Sequence, residues 1–142
     1  MHKTLNIQIF IIAIALLIQL SANKAYSETN TKNQEVMRES LIKLANDLNK
    51  QMPIMMDSET RCNYVLASGL TITYNYTLVN ISDPESITKQ TIEKFKQGII
   101  SAQCGNPRIK KVMRAGMKTL YFYNDRNGSY ITDFETGIKD CQ

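Results

Sequence analysis

Residues 1–27 constrain the rest of the chain more than any other stretch, because they read as an export signal. His2 and Lys3 open with positive charge, and Leu5 to Leu20 is apolar apart from Asn6, Gln8 and Gln19. Ala25-Tyr26-Ser27 then places small residues at the two positions a signal peptidase reads. The apolar run is shorter than the ~20 residues a bilayer-spanning helix needs. No cysteine follows the expected cleavage site to take a lipid anchor. Residues 28–142 are therefore expected to work in the periplasm or beyond it, as a secreted protein whose cysteines meet an oxidising compartment. They number 115, the length of one domain whose modest core benefits from a covalent staple.

The inventory of this exported part excludes a good deal of chemistry. His2 is the only histidine of the chain, so residues 28–142 have none, and tryptophan is absent altogether. Histidine is the usual general base for serine and cysteine nucleophiles and the commonest transition-metal ligand. A Ser-His-Asp triad, a Cys-His pair and an HExxH zinc site are all excluded. Carboxylate-pair hydrolysis and Ser-Lys chemistry survive, but neither has a motif here. The expectation is a protein that is not an enzyme and that carries no cofactor and no metal. Removing Lys3 and Lys24 with the signal leaves 15 basic residues against 13 acidic ones, close to balance, which gives no ground for a nucleic-acid partner.

Cys62, Cys104 and Cys141 allow three single bridges, each leaving one thiol. Cys104–Cys141 is the favoured pair. Cys104 stands at the end of a predicted helix, just before Gly105-Asn106-Pro107, and Cys141 lies on a tail that would otherwise fray. Cys62 alternates with Tyr64 and Leu66 in a strand-like run and reads as a buried small hydrophobe.

Periodicity supplies the elements. Met37, Leu41, Leu44, Ala45, Leu48 and Met52 make one apolar helical stripe over about 34–51, stopped by Pro53. Residues 28–33 are expected to be flexible, with a single domain over 34–142. Thr60 to Leu66 and Leu70 to Ile81 alternate with period two around Ala67-Ser68-Gly69, as in a hairpin. Asp83-Pro84-Glu85 reads as the start of a helix that buries Ile87, Ile92, Phe95, Ile99 and Ala102. Asn106-Pro107 starts a short helix that ends at Ala115-Gly116. Thr119 to Asn124 and Ser129 to Phe134 form a second hairpin through Asn127-Gly128. The order α-β-β-α-α-β-β predicts an α+β domain with helices packed on one face of an antiparallel sheet. Three Asn-x-Ser/Thr sequons, at Asn75, Asn80 and Asn127, read as coincidental, two of them lying in or at the end of a strand.

Four segments carry a resemblance. Leu48-Asn-Lys-Gln-Met-Pro-Ile-Met-Met-Asp-Ser-Glu-Thr-Arg61, Ile72-Thr-Tyr-Asn-Tyr-Thr-Leu-Val79, Cys104-Gly-Asn-Pro107 and Tyr121-x-Tyr123-x-Asp125-x-x-Gly128 stand in matching order across most of residues 28–142. This pattern resembles an uncharacterised family of small exported proteins of Gram-negative bacteria. The resemblance implies a bacterial source and a periplasmic or secreted address, and it says nothing of an activity. Cys62 departs from the pattern, which has an aliphatic residue there.

Three groups are candidate binding residues. Arg108, Lys110, Lys111, Arg114 and Lys118 are basic, and Lys110, Lys111 and Arg114 can share a helix face that would suit an acidic protein or an anionic lipid surface. Asp57, Glu59 and Arg61 sit in a polar linker after Ile54-Met55-Met56, where two carboxylates are too few for calcium and Arg61 is expected to pair with one acid. Tyr121 and Tyr123 share a strand face expected to lie opposite the helices, forming an amphipathic contact surface. The leading reading is an exported binding or accessory module for a protein of the envelope or of a host. The alternatives are a secreted effector that engages host phospholipid or protein through its basic helix, and a histidine-free hydrolase using Asp57 or Glu59.

Overall fold

The computed structural model describes residues 29–141, so the signal region lies outside the described residues. The chain forms two compact units, Met1–Val36 and Met37–Gln142, and the second carries the sheet. Helix α1 covers residues 29–49 and includes positions 29–33, which were expected to be flexible. Strands β1 (Ile54–Met55), β2 (Thr60–Ser68) and β3 (Thr71–Leu78) follow. After a 3-10 turn at Pro84–Ser86 come α2 (Lys89–Gly105) and α3 (Pro107–Arg114). Strands β4 (Lys118–Asp125) and β5 (Tyr130–Thr136) and a 3-10 turn at Ile138–Cys141 complete the chain. Among the described residues no helix is long and apolar enough to cross a membrane.

The α+β class and the order of elements are as the sequence indicates. The sheet runs β1-β2-β3-β4-β5 and is mixed rather than wholly antiparallel, because β3 and β4 pair in parallel. A parallel pair needs a crossover of a dozen residues or more, and α2 and α3 together supply one. Alternation within each strand carries no record of the direction of its neighbour, so the parallel step was invisible to periodicity.

Two local readings are corrected. Asp83 does not open the long helix. Its side chain accepts from the Glu85 amide and caps a single 3-10 turn, Ile87 is extended, and Thr88 caps α2 by accepting from the Thr91 amide. In β2, Cys62 does not share a face with Tyr64 and Leu66. The register shifts between Cys62 and Tyr64, and the extra residue of the bulge turns the following side chains over. Cys62 is 1% exposed whereas Tyr64 and Leu66 are 44% and 54% exposed.

The core lies between the helices and one face of the sheet. Leu41 and Ala45 from α1 meet Cys62, Val65, Ile72, Tyr76, Tyr123 and Phe134. Phe95 from α2 stands edge-on to Tyr123 at 5.3 Å between ring centroids. Burying a side chain such as Val65, which is inaccessible to solvent, contributes about 1.5–3 kcal/mol. The opposite face runs through rows such as Leu66, Thr73, Leu120 and Glu135. Asn75 lies on that face yet is buried, and its side chain accepts from Asn63 at 2.7 Å, which is no setting for a glycan.

Cys104 and Cys141 are joined by a disulfide with their Cα atoms 5.3 Å apart, tying the C-terminal turn to the end of α2. Cys62 is left as a buried thiol.

Candidate functional site

Where β3 leaves the sheet, an open cavity of about 470 Å³ lies beside the first turns of α2. Leu78, Ile81, Ile87, Ile92, Phe95 and Ile131 make its walls apolar. Polar groups gather on the linker Asp57-Ser58-Glu59 and at Asn80, Thr91 and Thr132.

Backbone bonds hold the walls in place. The Met56 amide donates to the Thr60 carbonyl at 2.8 Å, closing the turn between β1 and β2, and the Val79 amide donates to the Glu59 carbonyl at 2.9 Å. The Arg126 amide donates to the Ile81 carbonyl at 2.8 Å, anchoring the segment after β3 to the β4–β5 turn. Asp125 shapes that turn by accepting from the Asn127 and Ser129 amides at 2.8 and 2.7 Å. These backbone bonds set the shape of the cavity walls, and a preformed cavity lowers the ordering cost of any binding.

Asp57 caps its own turn, accepting from the Glu59 and Thr60 amides at 2.8 Å each. The Glu59 amide is the main reason that its carboxyl is held below the usual carboxylate range. Glu59 is exposed. Arg61 does not pair with either acid. Its Nε donates to Asn63 at 3.0 Å, and it pairs with Thr77, one position on from the Cys62–Tyr76 pair that faces the helices. The linker therefore delivers Asp57 and Glu59 to the cavity and sends Arg61 elsewhere, because side chains alternate along β2.

The tyrosines lie on the face opposite to the one expected. Tyr121 and Tyr123 point toward the helices, in a stack that includes Tyr76 with Tyr123 at 5.1 Å and Tyr121 with Phe134 at 5.2 Å. Burial pushes the Tyr121 hydroxyl up to about 12, and Gln103 of α2 donates to it at 2.8 Å. Tyr123 is only 3% exposed, and it lines the cavity. Leu120 and Phe122 alternate with the two tyrosines, which made either face possible; the neighbouring strands decide it, since Ile72, Tyr76 and Phe134 share the tyrosine face, whereas Thr73, Asn75 and Glu135 share the other.

The basic residues do not join the site. Arg108, Lys111 and Arg114 are exposed on α3 and Lys110 is half-buried. Lys118, at the start of β4, forms an ion pair of 2.8 Å with Glu135. None of the five lines the cavity. Among the described residues no three His, Cys, Asp or Glu side chains gather in a way that could hold a metal.

No family model and no curated protein matches the sequence. Solved structures do match the fold. A Pseudomonas aeruginosa protein assigned as secreted superposes with a TM-score of 0.64 at 11% identity, covering 77% of this chain and 96% of that one. EpsS, a pilotin of the Vibrio vulnificus type II secretion system, gives 0.64 at 12%, covering 79% and 97%. AspS, the type II secretion pilotin of Vibrio cholerae, gives 0.60 at 15%, covering 78% and 97%. The chain shares its fold with these pilotins. The sequence placed the cavity-lining residues Ile81 and Thr132 in strands and Ile87 in a helical stripe, but offered none of them as a binding residue, since a wall of isoleucine and threonine has no signature until the strands are in place.

Proposed function

We propose that this protein is an exported, non-enzymatic accessory module, working in the periplasm or outside the cell, that holds an apolar segment of a protein partner in the cavity beside α2. The observation that carries the reading is the combination of a preformed apolar cavity and a lining that has neither histidine nor lysine to activate a nucleophile. Ser58, Thr91 and Thr132 offer hydroxyls, but no histidine or lysine accompanies them. Asp57 does not suit acid catalysis either, because its carboxyl is held ionised and a general acid needs a raised pKa. The fold shared with two secretion pilotins and a secreted protein supports an accessory role in a bacterial envelope. Apolar cavities of this size with a few polar groups are the usual form of a binding site.

The test is capture of a partner from an envelope extract by the oxidised protein and by two variants. Thr91→Trp plugs the cavity from an exposed helical position and is expected to abolish capture. Lys110→Glu/Lys111→Glu reverses charge on α3 and is expected to leave capture intact. The opposite pattern would transfer the function to the basic helix.

A further inference from the structure

The cavity wall is apolar, yet its charge is one-sided: two carboxylates, Asp57 and Glu59, and no lysine or arginine among the lining residues. Neither acid takes part in an ion pair among the described residues, and Arg61, the base nearest to them in sequence, is engaged with Asn63. Asp57 Oδ1 accepts both turn amides, so the carboxylate is fixed in orientation. Asp57 and Tyr123 line the same cavity, so carboxylate and tyrosine belong to one site. Tyr123 itself is almost wholly buried, lines the cavity and makes no hydrogen bond within the described residues.

Resting on the reading that the cavity receives a partner protein, we propose that the received segment is amphipathic and basic: apolar side chains enter between α2 and β5, and a lysine or arginine immediately beside them lies against Asp57 and Glu59. The Tyr123 hydroxyl is then the polar anchor at depth, able to donate to or accept from the segment's backbone. An acidic segment would place like charges together, which disfavours the wrong partner more than it weakens the right one.

The test measures fluorescence anisotropy of three labelled peptides that share the apolar stretch Leu-Ala-Leu-Leu and end in Lys-Lys, Gln-Gln or Glu-Glu. The protein is the oxidised exported chain, alone and as Thr91→Trp and Asp57→Asn/Glu59→Gln. Asn preserves the oxygen that caps the turn, so the double variant is expected to fold. The Lys-Lys peptide should bind at least about ten-fold more tightly than the Gln-Gln peptide at low salt, and the preference should shrink as salt screens the exposed charges. In Asp57→Asn/Glu59→Gln the two peptides should bind alike, and in Thr91→Trp neither should bind. Equal binding of all three peptides to the unsubstituted protein, still abolished by Thr91→Trp, would overturn the basic preference and leave the cavity reading standing. Binding indifferent to Thr91→Trp, or none at all, would overturn both.

Discussion

Asn49 and Val65 are joined by two hydrogen bonds: the Asn49 side-chain amide donates to the Val65 carbonyl at 2.7 Å, and its oxygen accepts from the Val65 amide at 2.8 Å. A primary carboxamide has the same donor–acceptor geometry as a peptide group, so Asn49 stands in for a strand partner. It does so where one is missing. β1 pairs with β2 only at Ile54–Cys62 and Met55–Arg61, which leaves the edge of β2 open at Val65. The end of α1 is thereby pinned to the sheet and the open edge closed. Replacing Asn49 with Ala leaves a buried N–H and C=O without partners, a loss of about 1–3 kcal/mol for such a group. Urea unfolding of Asn49→Ala should show a fall of about 2–3 kcal/mol, and Asn49→Asp, which keeps only the acceptor, a smaller one.

The Cys104–Cys141 bridge spans 37 residues, a loop for which chain entropy gives about 4 kcal/mol. Reduction, or Cys141→Ser, should lower stability by about 3–4 kcal/mol in equilibrium unfolding. Loss well below 1 kcal/mol would mean that the packing of α2 already orders the tail.

Cys62 should be inert in the folded protein. It is buried and burial pushes its thiol up, so it holds little of the reactive thiolate at neutral pH. A thiol reagent at pH 8 should modify the oxidised protein only as it unfolds, with a rate that follows denaturant rather than reagent accessibility.

Asp57 gives the pH dependence a sign. Its folded-state carboxyl lies below the ordinary value of 3.8 because the ionised form accepts the turn amides. Its contribution to the folded turn is therefore present above that ordinary value and is lost as pH falls through the lowered one. Acid titration of Asp57 by NMR should show a midpoint below 3.8, and Asp57→Asn should remove this part of the acid unfolding slope.

Tyr123→Phe should leave the fold almost unchanged, because the hydroxyl makes no hydrogen bond within the described residues and its ring contacts with Tyr76 and Phe95 persist. Thermal unfolding of this variant is expected within about 0.5 kcal/mol of the original.

What could be read from the sequence follows from the range of each interaction. The stripe of Leu41, Ala45 and Leu48, the alternation of Ile72, Tyr74 and Tyr76, and the Asn106-Pro107 helix start are local patterns, and each lies in an element of the expected kind, with the first helix beginning at residue 29 rather than near 34. The favoured bridge between Cys104 and Cys141 is the one formed. The bulge at Asn63, the parallel pairing of β3 with β4 and the face taken by Tyr121 depend on partners distant in sequence, and no local period encodes them. The cavity was half-legible. Asp57, Glu59 and Tyr123 stood out by residue type, whereas their meeting at one place was set by the sheet.

The most direct measurement is site-specific photocrosslinking in an envelope extract, with a benzophenone amino acid placed at Thr91 on the cavity or at Leu66 on the opposite sheet face. The expected result is one covalent adduct from position 91 and none from position 66, with the crosslink mapping to an apolar stretch of the partner beside a lysine or arginine. An adduct from position 66 alone, or none from position 91, would contradict the account.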